Sequence, residues 1–507
     1  MSLALFFGLC IVISGVVIRS GMALMGRFGV LDHPGGHKQH DTSTPFVGGF
    51  GVIAVVLTVL FFGAAHYPEL SLSPIRTIAL GASILFVTGF ADDIWHLCFK
   101  ARFMIQALVA IAMVFLGGVE LASLGELFPG WSIGLGIFGV PFSIFATVGL
   151  INALNMIDGI DGLSGSLSFI SLGGIAIVAS VGGHGTYTFL AVALMGGVAG
   201  FLYFNLRYPS NARARVFLGD NGSMLLGFVF AWLLIALSQG EQAAMAPVTA
   251  LWLFGVPLLD TVSVMLRRIW LGKSPFLADR NHLHHLFIRA GFRVSDTVWI
   301  VAIVQVLLGA IGLVGNHLDV PEYVMFGLFL TVFAAYFFAI FRPWRVVPGL
   351  RRLNATLGLP SVSARGVFVG YFDEQGGREV LETLARELGS RYEYRLSLHR
   401  LNFRVDGGKN VYALLELDAE ADELTVGEVQ RLVQQIKVCL SAIPNVRVRP
   451  FMQRNSDNDR RENGGRDDEA RLLACSRQRD RRMQEGHSAF YELEVPDSRR
   501  ESDPVRV

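Results

Sequence analysis

Apolar runs of about bilayer-spanning length recur through the first 341 residues, separated by polar loops, and then stop. The candidate spans are residues 2 to 22, 46 to 65, 75 to 91, 103 to 118, 136 to 154, 163 to 181, 187 to 205, 221 to 238, 247 to 266, 297 to 315 and 322 to 341. No water-soluble core needs so many. Residues 1–341 are therefore predicted to be an all-α polytopic membrane domain of about eleven transmembrane helices. No Lys or Arg precedes the first run and Arg19 stands at its far end, so it reads as a retained helix and not as a signal peptide.

Beyond residue 341 the pattern changes. Residues 367–372 (VFVGYF), 392–401 (YEYRLSLHRL), 411–418 (VYALLELD) and 446–451 (VRVRPF) have the Val, Tyr, Leu and Phe content of strands. Helical patterns lie between them, near 377–389 and 425–442. The order strand, helix, strand, strand, helix, strand predicts a small ferredoxin-like α+β module over residues 365–451, reached through a linker at 342–364. From Met452 onward 25 of 56 residues are charged, with both signs mixed, so a disordered tail is expected over 452–507.

Composition sharpens this division. Hydrophobic residues make up 52% of the 507 and mean hydropathy is +0.48, yet 54 of the 85 Asp, Glu, Lys and Arg residues fall in the last 166 positions. A formal net charge of +1 gives no support for nucleic-acid binding. Four cysteines in so long a chain exclude a disulfide-built scaffold. Within the membrane domain the basic residues fall on one side: fourteen Lys and Arg in or beside the odd-numbered loops, against Arg76 alone on the other. Because Lys and Arg accumulate on the cytoplasmic side, the N-terminus is expected outside and, after eleven spans, the polar tail in the cytoplasm.

The remaining polar residues gather in the same odd-numbered loops. The first loop carries His37, Lys38 and His40; the third begins Ala91, Asp92, Asp93 and runs to Lys100. The fifth, NALNMIDGIDGL, places Asn152, Asn155, Asp158 and Asp161 at intervals of three, which would set them along one helical face. The seventh reads FLGDNGS with Asp220, and the ninth, SPFLADRNHLHH, holds Asp279, Arg280, His282, His284 and His285. Asp92, Asp93 and Asp220 offer hard oxygens to Mg²⁺, which binds one or two carboxylates plus substrate phosphates. Lys, Arg and His supply countercharge for a diphosphate. A lone Asp pair is more often a helix cap, loop arginines set topology, and Asp260 divides evenly between helix packing and function. Five polar clusters on one membrane face are hard to assign to capping alone. A transporter would gather its polar groups near the bilayer midplane on interrupted helices, and a mere membrane anchor leaves the clusters unexplained.

At these residues the sequence resembles the polyprenyl-phosphate N-acetylhexosamine-1-phosphate transferases. The likeness rests on the HKQH loop followed by PFVGG, ADD with Lys100 and Gln106 downstream, NALNMIDGIDGL, FLGDNGS, and SPFLADRNHLHHLFIRAGF, all within residues 23–293. The last segment most resembles the family's WecA-like branch, with MraY as a peptidoglycan relative; HLHH stands where that branch commonly reads HIHH. The resemblance implies a multi-pass protein of the bacterial inner membrane, with a periplasmic N-terminus and a cytoplasmic C-terminus. It would transfer GlcNAc-1-phosphate from UDP-GlcNAc to undecaprenyl phosphate, initiating a lipid-linked polysaccharide such as O-antigen. It further implies Asp92 and Asp93 as the catalytic pair and Asp220, with Asp93, as ligands of Mg²⁺, for which Mn²⁺ could substitute. Asn152, Asn155, Asp158 and Asp161 would shape the nucleotide site; Arg280, His282, His284 and His285 would lie near diphosphate and sugar; Lys38 and His40 would complete the phosphate-binding surface. Direct single displacement is favoured, with an aspartyl-phosphate on Asp92 as the alternative. UDP-QuiNAc or UDP-FucNAc would fit the same motifs, and a homodimer is allowed. The C-terminal module lies outside the resemblance, and an unknown protein or ligand is its expected partner.

Overall fold

The computed structural model describes residues 2–28, 44–63, 71–208, 211, 213–272, 274, 282–341, 343–357, 359, 366–370, 394–405, 408–419, 447–450 and 489–494. They fall into two compact units, Met1–His284 with Val298–Phe338, and His285–Thr297 with Ala339–Val507.

The first unit is helical, in chain order α1 (Leu3–Phe28), α2 (Gly48–Thr58, continued as a π turn Val59–Gly63), α3 (Leu72–Trp95), α4 (Phe99–Gly117), α5 (Gly139–Ile157), α6 (Leu163–Val181), α7 (Gly185–Asn205), α8 (Gly219–Ser238), α9 (Pro247–Leu253) and α10 (Gly255–Trp270). Helices α11 (Leu283–Arg289) and α12 (Val294–His317) each have residues in both units, as does α13 (Glu322–Phe341); α14 (Pro343–Thr356) lies in the second. Among the described residues nine helices are long and apolar enough to cross a membrane, ten if α9 and α10 count as one bent span. The chain is thus a multi-pass membrane protein. The run expected at 46–65 is a shorter apolar helix, Gly48–Phe62, and the run expected at 247–266 is broken by an 88° bend.

Helix α8 occupies the centre, and nearly all of it is buried inside the protein. Lipid tails are as apolar as leucine, so helices associate in a bilayer through close packing at small residues. Gly227 of α8 lies against the backbone of Ile151 in α5, where an added Cβ would fall 2.5 Å from the Ile151 Cα. On α3, a Cβ at Gly89 would fall 2.4 Å from the Asp220 carbonyl. These contacts bring the polar ends of α3, α5 and α8 together.

The bend between α9 and α10 has its own support. A helix break in a membrane frees backbone groups that must find other partners. Gln305 of α12, fully buried, accepts a hydrogen bond from Val256 N (2.9 Å) and donates one to Leu253 O (2.8 Å), spanning the break.

The second unit includes a five-stranded sheet of β1 (Gly366–Gly370), β2 (Tyr394–Val405), β3 (Gly408–Ala419), β4 (Arg447–Pro450) and β5 (Ala489–Glu494), in the order β2-β3-β1-β5-β4. β3 pairs antiparallel with β1 and β2, while β5 runs parallel to β1 and antiparallel to β4. The first four strands overlap the four strand patterns, but β5 enters between β1 and β4, so the sheet is not the four-stranded ferredoxin-like one expected over 365–451. The fifth falls within the tail expected to be disordered: its AFYELE run carries the aromatic strand signal that the surrounding charge obscured. The helical patterns near 377–389 and 425–442 lie outside the described residues.

Candidate active site

Helix α3 ends on Asp92, Asp93 and Trp95, and α8 begins on Gly219 and Asp220, so their close packing sets three carboxylates side by side. Gly219 takes φ +75°, a left-handed conformation that glycine adopts without strain, and a Cβ there would fall 2.8 Å from Asp93 Oδ2. Asp93 accepts from Asp220 N (2.9 Å) through Oδ1, and from Asn221 N (3.3 Å) and Asn221 Nδ2 (2.6 Å) through Oδ2. It therefore serves the exposed amides of α8's first turn, as an N-cap does, but from a neighbouring helix. Asn221 Nδ2 also donates to Phe46 O (3.1 Å), tying the segment before α2 into the same corner.

Asp92, 4% exposed, turns the other way. Its Oδ2 accepts from Arg102 Nη1 of α4 at 2.5 Å, and the same guanidinium nitrogen lies 3.5 Å from Asp220 Oδ2. Asn155, near the end of α5, donates to Asp220 Oδ1 (2.5 Å) and to Ser223 Oγ (2.9 Å). Asp92 and Asp220 thus converge on one cation, with an amide fixing the second carboxylate.

The expected single face of Asn152, Asn155, Asp158 and Asp161 does not form. Helix α5 ends at Ile157, because Gly159 and Gly162 break it and Gly162 turns left-handed at φ +84°. Only the two asparagines are on the helix. Asn152 is tied to Gln106 Oε1 (2.8 Å) and Val148 O (2.7 Å), away from Asp220. Past the helix end, Asp158 accepts from Ser164 Oγ, and burial pushes its carboxyl up to about 7, against the Ser164 bond that lowers it and with Asp93 and Asp161 adding repulsion. Asp161 accepts from Arg207 Nε (2.7 Å) and Ala214 N (3.1 Å). The Gly162 N–H donates to Asn205 Oδ1 (2.6 Å), which fixes the loop.

The histidine tract reaches this loop. A Cβ at Gly159 would lie 2.5 Å from His284 Nε2, so the imidazole packs directly on the glycine between Asp158 and Asp161. His282 stacks on His284, with ring centroids 5.8 Å apart and planes 9° from parallel, and its Nδ1 lies 2.8 Å from Asp260 Oδ2. His285 belongs to the second unit. Lys38, His40, Asp279 and Arg280 lie outside the described residues.

Among the described residues no group of three or more His, Cys, Asp or Glu is spaced as a metal cage. Mg²⁺ needs none, since it keeps waters and takes one or two carboxylates with substrate phosphates. Asp92 and Asp220, already sharing one cation, and the amide oxygen of Asn155 have the hard-oxygen chemistry that fits it.

Sequence reasoning missed several of these groups. Arg102 was counted only among the topology-setting cations, although it stands ten residues after Asp92 on the next helix. Asn221, Ser164 and Asn205 act on backbone or on one carboxylate and carry no signal in a single sequence.

Comparison with known proteins adds an independent observation. The family model described as Glycosyl transferase family 4 matches residues 75–238. The chain is 38% identical over 329 residues to a Yersinia pestis protein named undecaprenyl-phosphate alpha-N-acetylglucosaminyl 1-phosphate transferase, covering 65% of this chain and 88% of that protein. Proteins of the same name from Escherichia coli K12 and Haemophilus influenzae are 37% and 36% identical, each over 334 residues that cover 65% of this chain and 89% and 92% of theirs.

Proposed function

The chain belongs to glycosyl transferase family 4, with relatives named undecaprenyl-phosphate alpha-N-acetylglucosaminyl 1-phosphate transferase, and from that premise we propose that it transfers GlcNAc-1-phosphate from UDP-GlcNAc to undecaprenyl phosphate. An oxygen of the lipid phosphate attacks the β-phosphorus, the bond from that phosphorus to the bridging oxygen breaks, and UMP leaves with the oxygen. The products are undecaprenyl-diphosphate-GlcNAc and UMP. The observation that carries this reading is the convergence of Asp92 and Asp220 on Arg102, with Asn155 fixing Asp220.

A phosphate monoester has its second pKa near 6, so the nucleophile is largely dianionic at neutral pH and no strong general base is required. The barrier is repulsion between anions, and catalysis is mainly positioning and charge neutralisation. Asp220, Asp92 and Asn155 would hold Mg²⁺, which would supply positive charge against that repulsion. Arg102 supplies fixed positive charge beside the Asp92 and Asp220 carboxylates. Asp93 acts as a positioning residue, because its bonds to Asp220 N and Asn221 N hold the start of α8 where Asp220 is needed. Asp158 and Asp161, on a loop fixed by Asn205 and Arg207, form the nucleotide side of the site with His282 and His284.

We further propose eleven crossings, counting the bent α9–α10 pair and the short Gly48–Phe62 helix with the nine longer ones. The bias of fourteen basic residues against one supports a periplasmic N-terminus and a cytoplasmic active face in a bacterial inner membrane. On this reading the C-terminal five-stranded sheet is a cytoplasmic appendage that binds a partner or regulates, and the chemistry does not require it.

Purified protein supplied with UDP-GlcNAc, undecaprenyl phosphate and Mg²⁺ should release UMP in step with lipid-linked sugar. Failure to release UMP above a background lacking the lipid phosphate would refute the proposal.

A further inference from the structure

Asp260 is fully buried on α10, five residues past its start at Gly255, and no step proposed above uses it. Three groups point at its carboxylate. Leu283 N donates to Oδ1 (2.9 Å), Tyr336 Oη of α13 donates to the same oxygen (2.6 Å), and His282 Nδ1 lies 2.8 Å from Oδ2. A backbone N–H only donates, and a phenol facing a carboxylate donates as well. An ionised carboxylate only accepts, so the arrangement in which every buried group is satisfied has the His282 proton on Nδ1. That leaves Nε2 as the nitrogen available to a ligand. The ring so fixed stacks on His284, whose own Nε2 packs on Gly159 between Asp158 and Asp161.

We propose that Asp260, braced by Tyr336, is a positioning residue for the histidine tract: it sets the tautomer and ring plane of His282 and so holds the His282–His284 stack against the loop that receives the UDP-sugar. The inference rests on the transferase reading for its kinetic consequence, but the tautomer itself does not depend on that reading. A carboxylate that orients an imidazole through its second nitrogen is a general device, and its loss leaves the ring in place with the proton on the wrong atom. In Asp260→Asn the amide oxygen still accepts from Leu283 N and Tyr336 Oη. The amide nitrogen then faces His282 Nδ1, which must accept, and the proton moves to Nε2.

Two measurements test this. In the full-length protein labelled with ¹⁵N-histidine, the ¹⁵N solid-state NMR difference between wild type and His282→Gln isolates one imidazole. Its Nδ1 should carry the proton in wild type and lose it in Asp260→Asn; a wild-type His282 protonated on Nε2 alone would overturn the proposal. In UMP-release assays, Asp260→Asn and the milder Tyr336→Phe are each compared alone and in the His282→Gln background. Asp260→Asn should lower kcat by roughly 10- to 100-fold in an otherwise wild-type protein, by analogy with the loss of an orienting partner behind a ligating histidine. It should add little once His282 is gone, and Tyr336→Phe should show the same dependence at smaller size. Equal losses in both backgrounds would mean that Asp260 and Tyr336 serve packing alone, and the proposal falls. If wild type itself releases no UMP, the transferase reading fails, while the NMR difference still decides the tautomer.

Discussion

Removing the Asp93 carboxylate is the sharpest perturbation of the division of labour between the two adjacent aspartates. In Asp93→Ala the Asp220 N–H, the Asn221 N–H and one Asn221 Nδ2 hydrogen lose their acceptor at the start of a buried helix. Loss of a helix cap costs about 0.5–2 kcal/mol, and a hydrogen bond to a charged acceptor is worth about 1.5–3 kcal/mol. Asn221 Nδ2 keeps its bond to Phe46 O, so the three losses are not independent and a total of about 2–4 kcal/mol is expected. Asp93→Asn retains one acceptor and should lose about half of that. Turnover should fall more steeply than stability, because a misplacement of Asp220 by about 1 Å is enough for a loss near 100-fold. The assay is thermal unfolding of the detergent-purified, metal-free protein, run beside UMP release over a Mg²⁺ titration. Melting temperatures should fall in the order wild type, Asn, Ala without metal. An unchanged melting temperature for Asp93→Ala, with only the Mg²⁺ requirement shifted, would refute the capping role and make Asp93 a metal ligand.

Asp220→Asn should fold and insert, since Asn155 and Asp93 still hold the helix start, but should lose Mg²⁺-dependent turnover; near-normal activity across a Mg²⁺ titration speaks against the assignment. Asp158 has its carboxyl raised to about 7 against 3.8, so the folded state holds its proton more tightly than the unfolded one. Its contribution to stability is present below pH 4 and is lost as pH rises through about 7; chemical denaturation of the ligand-free protein should show that decline, and Asp158→Asn should flatten it. Truncation after Trp344 should leave an inserted protein that still releases UMP; a stable but inactive product would give the C-terminal sheet a part in the site.

The membrane helices were legible because hydrophobic length is a property of each segment taken alone. The start of α8 was legible too, as a carboxylate beside glycines at the edge of an apolar run. The bend at Phe254 was not, because Gly255 and Pro257 look tolerable inside one span until Gln305 from another helix takes up the backbone groups. Spacing misled at Asn152, Asn155, Asp158 and Asp161: intervals of three describe a helical face only while the helix continues, and two glycines end it. Asp93 shows a further limit. Adjacent identical residues look interchangeable in sequence, and only the partner helix reveals that one faces Arg102 while the other faces backbone amides.

The Gln305 bridge also bears on how firmly Asp260 is held. Straightening α9 and α10 into one rod would return Val256 N to an intrahelical bond, but Leu253 O would face Pro257, which has no N–H, and the buried Gln305 amide would be stranded as well, at a cost of about 1–3 kcal/mol per orphaned group. The corner is therefore latched and not a hinge, and Asp260, one and a half turns beyond it, rides on a fixed mount. Motion at this corner would have to break both Gln305 bonds at once. The carboxylate that meets His282 is thus set on an anvil, stiff beneath the ring it faces.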